Sequence, residues 1–353
     1  MSKPEYPGAY QNAPCKTLKH IVLLIASLTA ISAVPAMAAA HKNSTNPTAM
    51  DHSDMILIPA GEFIMGDNKS EKTNQAGEFG NVKPWYLDEH PQHRVNLPSY
   101  YIEEHEITNE QYRTYVASAK DVELPDNWAS SGYVLSMKKD KLGQLDLERL
   151  QKLAANIFKI DKDTRKMNKQ ELLQDILEKL AEMDKLPVTY VSWNQAQAYC
   201  KWAGLRLPSE QEWEKAARGP DGQEFPWGNK WQHHLSNTGS EQWEMGVAPV
   251  ESYKTDKSPY GVYDLAGNVS EWVEDWYKAY PGSDYQSDAF GEKFKVARGA
   301  GWSGGTGHYA LQLFQRGAYR SNLPPEQKFD DVGFRCAADD TPSMHAAMAQ
   351  SHH

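Results

Sequence analysis

The chain has 353 residues, enough for two domains or one large one, and carries 37 Lys and Arg against 47 Asp and Glu, a net charge of −10. That acidity, without a run of basic residues, excludes a nucleic-acid-binding surface. Gly (24) and Pro (20) stand at ordinary globular levels, and 11% aromatic residues exclude a disordered or collagen-like chain.

Lys16, Lys19 and His20 precede an apolar run from Ile21 to Val34, and Pro35-Ala36-Met37-Ala38 ends in the small-x-small pattern of a signal-peptidase site. Residues 1–38 read as a signal peptide cut between Ala38 and Ala39. The alternative, a retained anchor, needs roughly 20 apolar residues, and Ser27, Thr29 and Ser32 interrupt this run. Cys15 would leave with the signal. Cys200 and Cys336 then remain, and in an oxidising compartment they most simply pair, the alternative being a reactive thiol. The expected product is periplasmic or secreted, free of the membrane after cleavage. Its new end, Ala39-Ala40-His41, offers an amine, two amides and an imidazole, a square-planar set suited to copper. Met50, His52 and Met55 add possible ligands, as do Met344, His345, Met348, His352 and His353 in the 341–353 tail. The alternative is that both ends are simply polar.

Residues 39–54 read as a flexible lead-in, and 55–340 as the folded domain. Met55–Gly66 has the pattern of two short strands around a turn, followed by strands at 94–97 and 100–102. Thr108 is placed to cap a helix, a second helix spans 194–203, and Ser209 with Glu212 forms a capping box before a third. Residues 138–185 differ in kind. They hold 12 Lys/Arg and 10 Asp/Glu in 48 positions, with Phe158 the only aromatic and no proline. Leu150, Leu153, Ile157, Leu173, Ile176, Leu177 and Leu180 recur at helical spacing, so this insertion reads as a helical hairpin. Its turn, 161–172, resembles an EF-hand loop but lacks the acid at five and the Gly at six. A solvated helical turn is the expected outcome.

Several motifs then read together: Pro59–Gly66, Asp88–Val95, Glu106–Tyr112, Val191-Ser192-Trp193, Ala198–Trp202, Arg206–Glu214, Tyr260–Val269 and Val332–Ala337. In that order they resemble the formylglycine-generating enzymes, also called sulfatase-modifying factors, over about 55–340. The resemblance implies an irregular, loop-rich α+β fold related to C-type lectins, here with the helical hairpin inserted. It also implies oxidation of a sulfatase cysteine with O₂ and Cu(I), the metal held by two thiolates. Counted from the Arg298–Trp302 motif, the first cysteine position is Gly304. The second is Tyr309, or lies near Gln312 when counted back from Arg320. The motif serine is Gly301, and an expected Trp is Ser270. Standard formylglycine synthesis is therefore not expected.

Other properties follow from the resemblance alone. Cys200 and Cys336 match a family disulfide. Asp264 and Glu271 side chains, with the Gly267 and Val269 carbonyls, match a structural calcium site, the alternative being a hydrogen-bonded loop. Asn237 and the Thr238 carbonyl begin a second calcium site whose acidic ligand is not clearly matched. Trp302, Ser303, Gly304, Arg320 and Ser270 fall where the family binds substrate. His308, Tyr309 and Arg316 are the candidate catalytic groups, an imidazole beside a phenol suiting acid–base or redox chemistry, or iron or copper ligation. His90 and His93 are more simply structural. Some relatives without the thiol pair resemble an oxidative maturase of pyoverdine siderophores. Iron-dependent sulfoxide synthases use histidines of an extra helical domain, which the histidine-free 138–185 hairpin cannot replace. Two functions are compatible with this chain: an oxidative maturation factor for a secreted protein, peptide or siderophore-like substrate, or a non-catalytic binding module using a lectin-like groove.

Overall fold

The computed structural model describes residues 52–71, 86–239, 246–302 and 311–351. The signal segment, the lead-in to residue 51, His41, Met50, Ser303, Gly304, His308, Tyr309, His352 and His353 lie outside the described residues. Strands β1 (Met55–Ile58) and β2 (Gly61–Met65) come first, as expected, but do not pair with each other. Pro59-Ala60 carries the chain from one sheet to another, consistent with proline's missing ladder donor. β2 pairs antiparallel with β3 (His93–Leu97), Gly61 opposite Leu97. β1 pairs with β4 (Tyr100–Glu103), which also pairs with β9 (Ala337–Asp339). A third sheet has the order β7-β6-β5-β8, from Arg320–Leu323, Lys295–Arg298, Ser270–Trp276 and Val332–Gly333.

The helices at Asn109–Ser118, Trp193–Trp202 and Glu210–Arg218 start at Thr108, Ser192 and Ser209, each within a capping box. In each box two otherwise unpaired amides of the first turn are satisfied within three residues, so the start is encoded locally. The last of these helices carries Trp213 into a core with Ile58, Tyr100, Leu265, Val273 and Val296. Cys200 and Cys336 are bonded to each other with both side chains buried, tying the Trp193–Trp202 helix to the chain before β9.

The insertion is helical. Leu147–Asn156, capped by Asp146, packs on Lys169–Asp184, capped by Asn168. Leu150, Leu153, Leu172, Ile176 and Leu180 are buried. In the intervening turn Asp163 is held by Arg165 and Lys166, and Lys162 pairs with Asp175 at 2.7 Å. The turn is solvated, and its Asp163 already faces two cations. In the tail, Pro342–Ser351 is a helix. Met344 packs with Met55, Tyr101 and Ala338, with Met348 alongside, and His345 pairs with Asp340. These thioethers are packing groups in the described arrangement. Among the described residues, no helix is long and apolar enough to cross a membrane.

Candidate functional site

β6 ends at Arg298, and the chain then turns tightly through Gly299 at φ +75°. A Cβ at Gly301 would lie 2.8 Å from the Asp331 carbonyl, so the serine expected there would require that backbone to move. Trp302 follows. Its amide donates to the Asn268 carbonyl (2.8 Å) and its indole N–H to the Asp330 carbonyl (3.2 Å), with Gly246 against the ring. Ser270 opens β5, and its hydroxyl donates to the Gly299 carbonyl at 3.0 Å. It therefore ties the turn that carries Trp302.

Arg316 and Arg320, expected in the groove, are buried. Arg316 donates to both oxygens of Glu89 (2.7 and 2.5 Å) under the Tyr86 ring; only its Nε–H is buried without a partner among the described residues. Arg320 grips both oxygens of Glu210 (2.7 and 2.9 Å) and donates to the Asp88 carbonyl, with Tyr280 below it. Arg298 joins the same network through Glu210, Glu214 and the Gly317 carbonyl, and Arg218 shares Glu214. Burial pushes the Glu214 carboxyl up, but Arg298 and Arg218 outweigh it and hold the group below its ordinary range. For Glu89 burial wins over Arg316, and the carboxyl is raised. A buried charge is tolerated only when so paired, so these arginines present no open charged face to a substrate. His93 bonds the Pro91 carbonyl and packs on Tyr280, and His90 bonds the Lys69 carbonyl, as structural histidines do.

The expected calcium residues divide. Glu271 is fully buried, with its oxygens taken by Arg335 (2.6 and 2.8 Å) and the Trp213 indole N–H (3.0 Å). Gly267 packs against the Asn237 backbone. Asp264, at φ +58°, accepts the Glu251 amide at 2.6 Å. Glu106, which sequence reasoning missed, is fully buried, with no N–H donor on its carboxylate oxygens among the described residues and the Asp264 carboxyl as its side-chain hydrogen-bond partner. Burial and the neighbouring Asp264 charge push its carboxyl well above the ordinary range; burial raises Asp264 to about 6. Two adjoining buried carboxyls are satisfied by a shared proton or by a cation, whereas Glu271, neutralised by Arg335, needs neither. Glu106 lay in plain view in the Glu106–Tyr112 motif, but nothing local marks it as buried. Asn237 donates to the Gly246 carbonyl and to Asn268, acting as a loop tie, with half-buried Thr238 next to it. Among the described residues, no three His, Cys, Asp or Glu side chains converge as a metal cluster.

Trp302 lines a cavity of about 510 Å³ that the sequence did not reveal. One wall comes from the insertion through Ile157, Phe158, Lys159 and Met183; the other includes Tyr190, Val247 and Asp330. Tyr190 adopts φ +57°, a costly backbone state for a bulky side chain. The volume matches that of small-ligand pockets, which combine apolar walls with a few polar groups.

Comparison with known proteins agrees with this architecture. The family description "Sulfatase-modifying factor enzyme 1-like domain" matches residues 39–340. The chain is 31% identical over 303 residues to the inactive C-alpha-formylglycine-generating enzyme 2 of Bos taurus, covering 81% of this chain and 88% of that one. It is 29% identical over 321 residues to the formylglycine-generating enzyme of Streptomyces coelicolor, covering 87% and 96%. Among solved structures, PvdO from Pseudomonas aeruginosa matches with a TM-score of 0.50 at 22% identity, over 81% of this chain and 94% of that one, a likeness of fold.

Proposed function

We propose that this chain, which belongs to the sulfatase-modifying factor enzyme 1-like family, is an exported accessory or maturation factor that acts on a secreted or periplasmic substrate without making formylglycine. One observation carries the negative half. Cu(I) chemistry of the family type needs two free thiolates, and Cys200 and Cys336 are joined to each other in the core. The remaining cysteine, Cys15, stands before the apolar run of the signal. A relative whose name marks it as inactive sits at the same level of identity as the named enzymes, so this scaffold tolerates loss of that activity.

The positive half rests on the Trp302 cavity, sized for a peptide segment or a siderophore-like molecule. His308 and Tyr309 follow Trp302 closely in sequence and are the proposed acid–base or redox groups, with iron or copper as the metal that would supply oxidation. Asp264 and Glu106, with the Gly267 and Val269 carbonyls, are the proposed holders of a structural calcium. A second reading, a binding module without turnover, is favoured by the burial of Arg316 and Arg320. Two measurements test these readings. Incubation with a sulfatase-type cysteine peptide, copper and O₂ should yield no aldehyde by mass spectrometry, and an aldehyde product overturns the proposal. Metal analysis of the purified protein separates the rest: bound iron or copper supports the maturation factor, calcium alone the binding module.

A further inference from the structure

Resting on the reading of the Trp302 cavity as the substrate site, we infer that the 138–185 insertion sets its specificity, with Lys159 selecting a peptide substrate that carries a carboxylate beside an apolar residue. Lys159 follows the Leu147–Asn156 helix at φ +48°. The Ile160 amide returns to the Ala154 carbonyl, six residues back, so Lys159 occupies the left-handed position of the turn that closes this helix. Glycine is favoured there because a Cβ raises the energy of that backbone state. A lysine at such a position opposes local stability, and this one lines the cavity.

Three further observations support the assignment. Lys159 makes no ion pair among the described residues, while the other lining lysine, Lys179, already shares Glu182 at 3.4 Å. Among the described residues, Asp330 is the only carboxylate lining the cavity, against Lys159 and Lys179. The wall is also fixed. A Cβ at Gly132 would lie 2.5 Å from Ile157 and 3.1 Å from Phe158, so these residues pack directly on the Gly132 backbone. They hold the apolar face beside Lys159 in one place, ready for an apolar side chain adjoining the acid.

The test uses dansyl-Phe-Glu-Gly-amide and its Gln and Lys counterparts, read by fluorescence anisotropy with the purified protein. The blocked C-terminus leaves the side chain as the only carboxylate. The Glu peptide should bind about tenfold tighter than the Gln peptide, the ratio for one charge-assisted contact, and the Lys peptide weakest. Lys159→Gly should erase that preference while melting at the same or a higher temperature, and Lys159→Arg should keep it. Equal binding of the three peptides, or a preference that survives in Lys159→Gly, overturns the inference and leaves the cavity reading intact. No binding of any of the three at millimolar peptide overturns both.

Discussion

Replacing Cys200 and Cys336 together by alanine removes a cross-link between residues 136 apart in sequence. In the chain-entropy description, a closed loop of that length restricts the unfolded chain by about 17 cal/mol/K, or about 5 kcal/mol at 25 °C. Alanine suits the perturbation because both sites are fully buried and a serine hydroxyl would add its own desolvation cost. The Cys336 amide keeps its bond to Glu103 (2.6 Å) in the variant, so the change isolates the cross-link and the lost sulfur packing. Urea unfolding should place the double variant about 5 kcal/mol below the oxidised protein, and fully reduced protein should approach it. Thiol titration of denatured, unreduced protein should find neither cysteine free. A loss under about 1 kcal/mol would show that the unfolded chain is already restricted in this region, and the loop argument would fail.

Glu214→Ala leaves Arg298, Arg218 and the Gly66 amide without their shared acceptor and should cost about 3–5 kcal/mol by urea unfolding. A cost typical of a surface pair would mean that water reaches the network. Calcium should raise the melting temperature, and Glu106→Gln or Asp264→Asn should remove most of that increment. Identical melting in calcium and in chelator would leave the loop held by Arg335 and the Glu251 amide alone. Burial raises the Glu103 carboxyl to about 8, so the folded protein binds a proton that the unfolded chain has released. The associated stability is complete below the ordinary carboxylate pKa and is lost as pH rises through about 8. The loss should be about 2 kcal/mol, discounted because Glu103 is only half-buried. Glu103→Gln should flatten that slope, and an unchanged slope assigns it to another group.

What the sequence disclosed follows the range of the interactions involved. Thr108 with Gln111, Ser192 with Gln195 and Ser209 with Glu212 close their capping boxes within three residues, so those helix starts were readable directly. The separation of β1 from β2 was not, because the partner residues lie 42 to 48 positions further along the chain for β1 and 28 to 36 for β2. Arg316 and Arg320 show the same limit. A groove arginine and a core arginine are spelled alike, and only Glu89 and Glu210, 227 and 110 residues away, place these two inside. Lys159 was visible only as one charge among many in the insertion. Its backbone state and its place on a cavity wall depend on tertiary structure.

The distribution of buried charge also explains how this scaffold can change its chemistry without losing its fold. The segment expected to hold copper runs between Arg298 and Arg320. Arg298 is locked at its start by Glu210 and Glu214, Arg316 near its end by Glu89, and Arg320 by Glu210 again. Buried ion pairs thus flank the segment on both sides. Each pair would be costly to break, because removal of one partner leaves an uncompensated buried charge. The cysteine positions fall between these anchors in sequence, so Gly304 and Tyr309 remove thiolate chemistry while the anchoring arginines are kept. Gly301 takes this further, since the motif serine would require the Asp331 backbone to move. Restoring cysteines at 304 and 309 alone should therefore not restore formylglycine synthesis. The neighbouring turn has been repacked around a glycine, and the groove now shares a wall with the insertion.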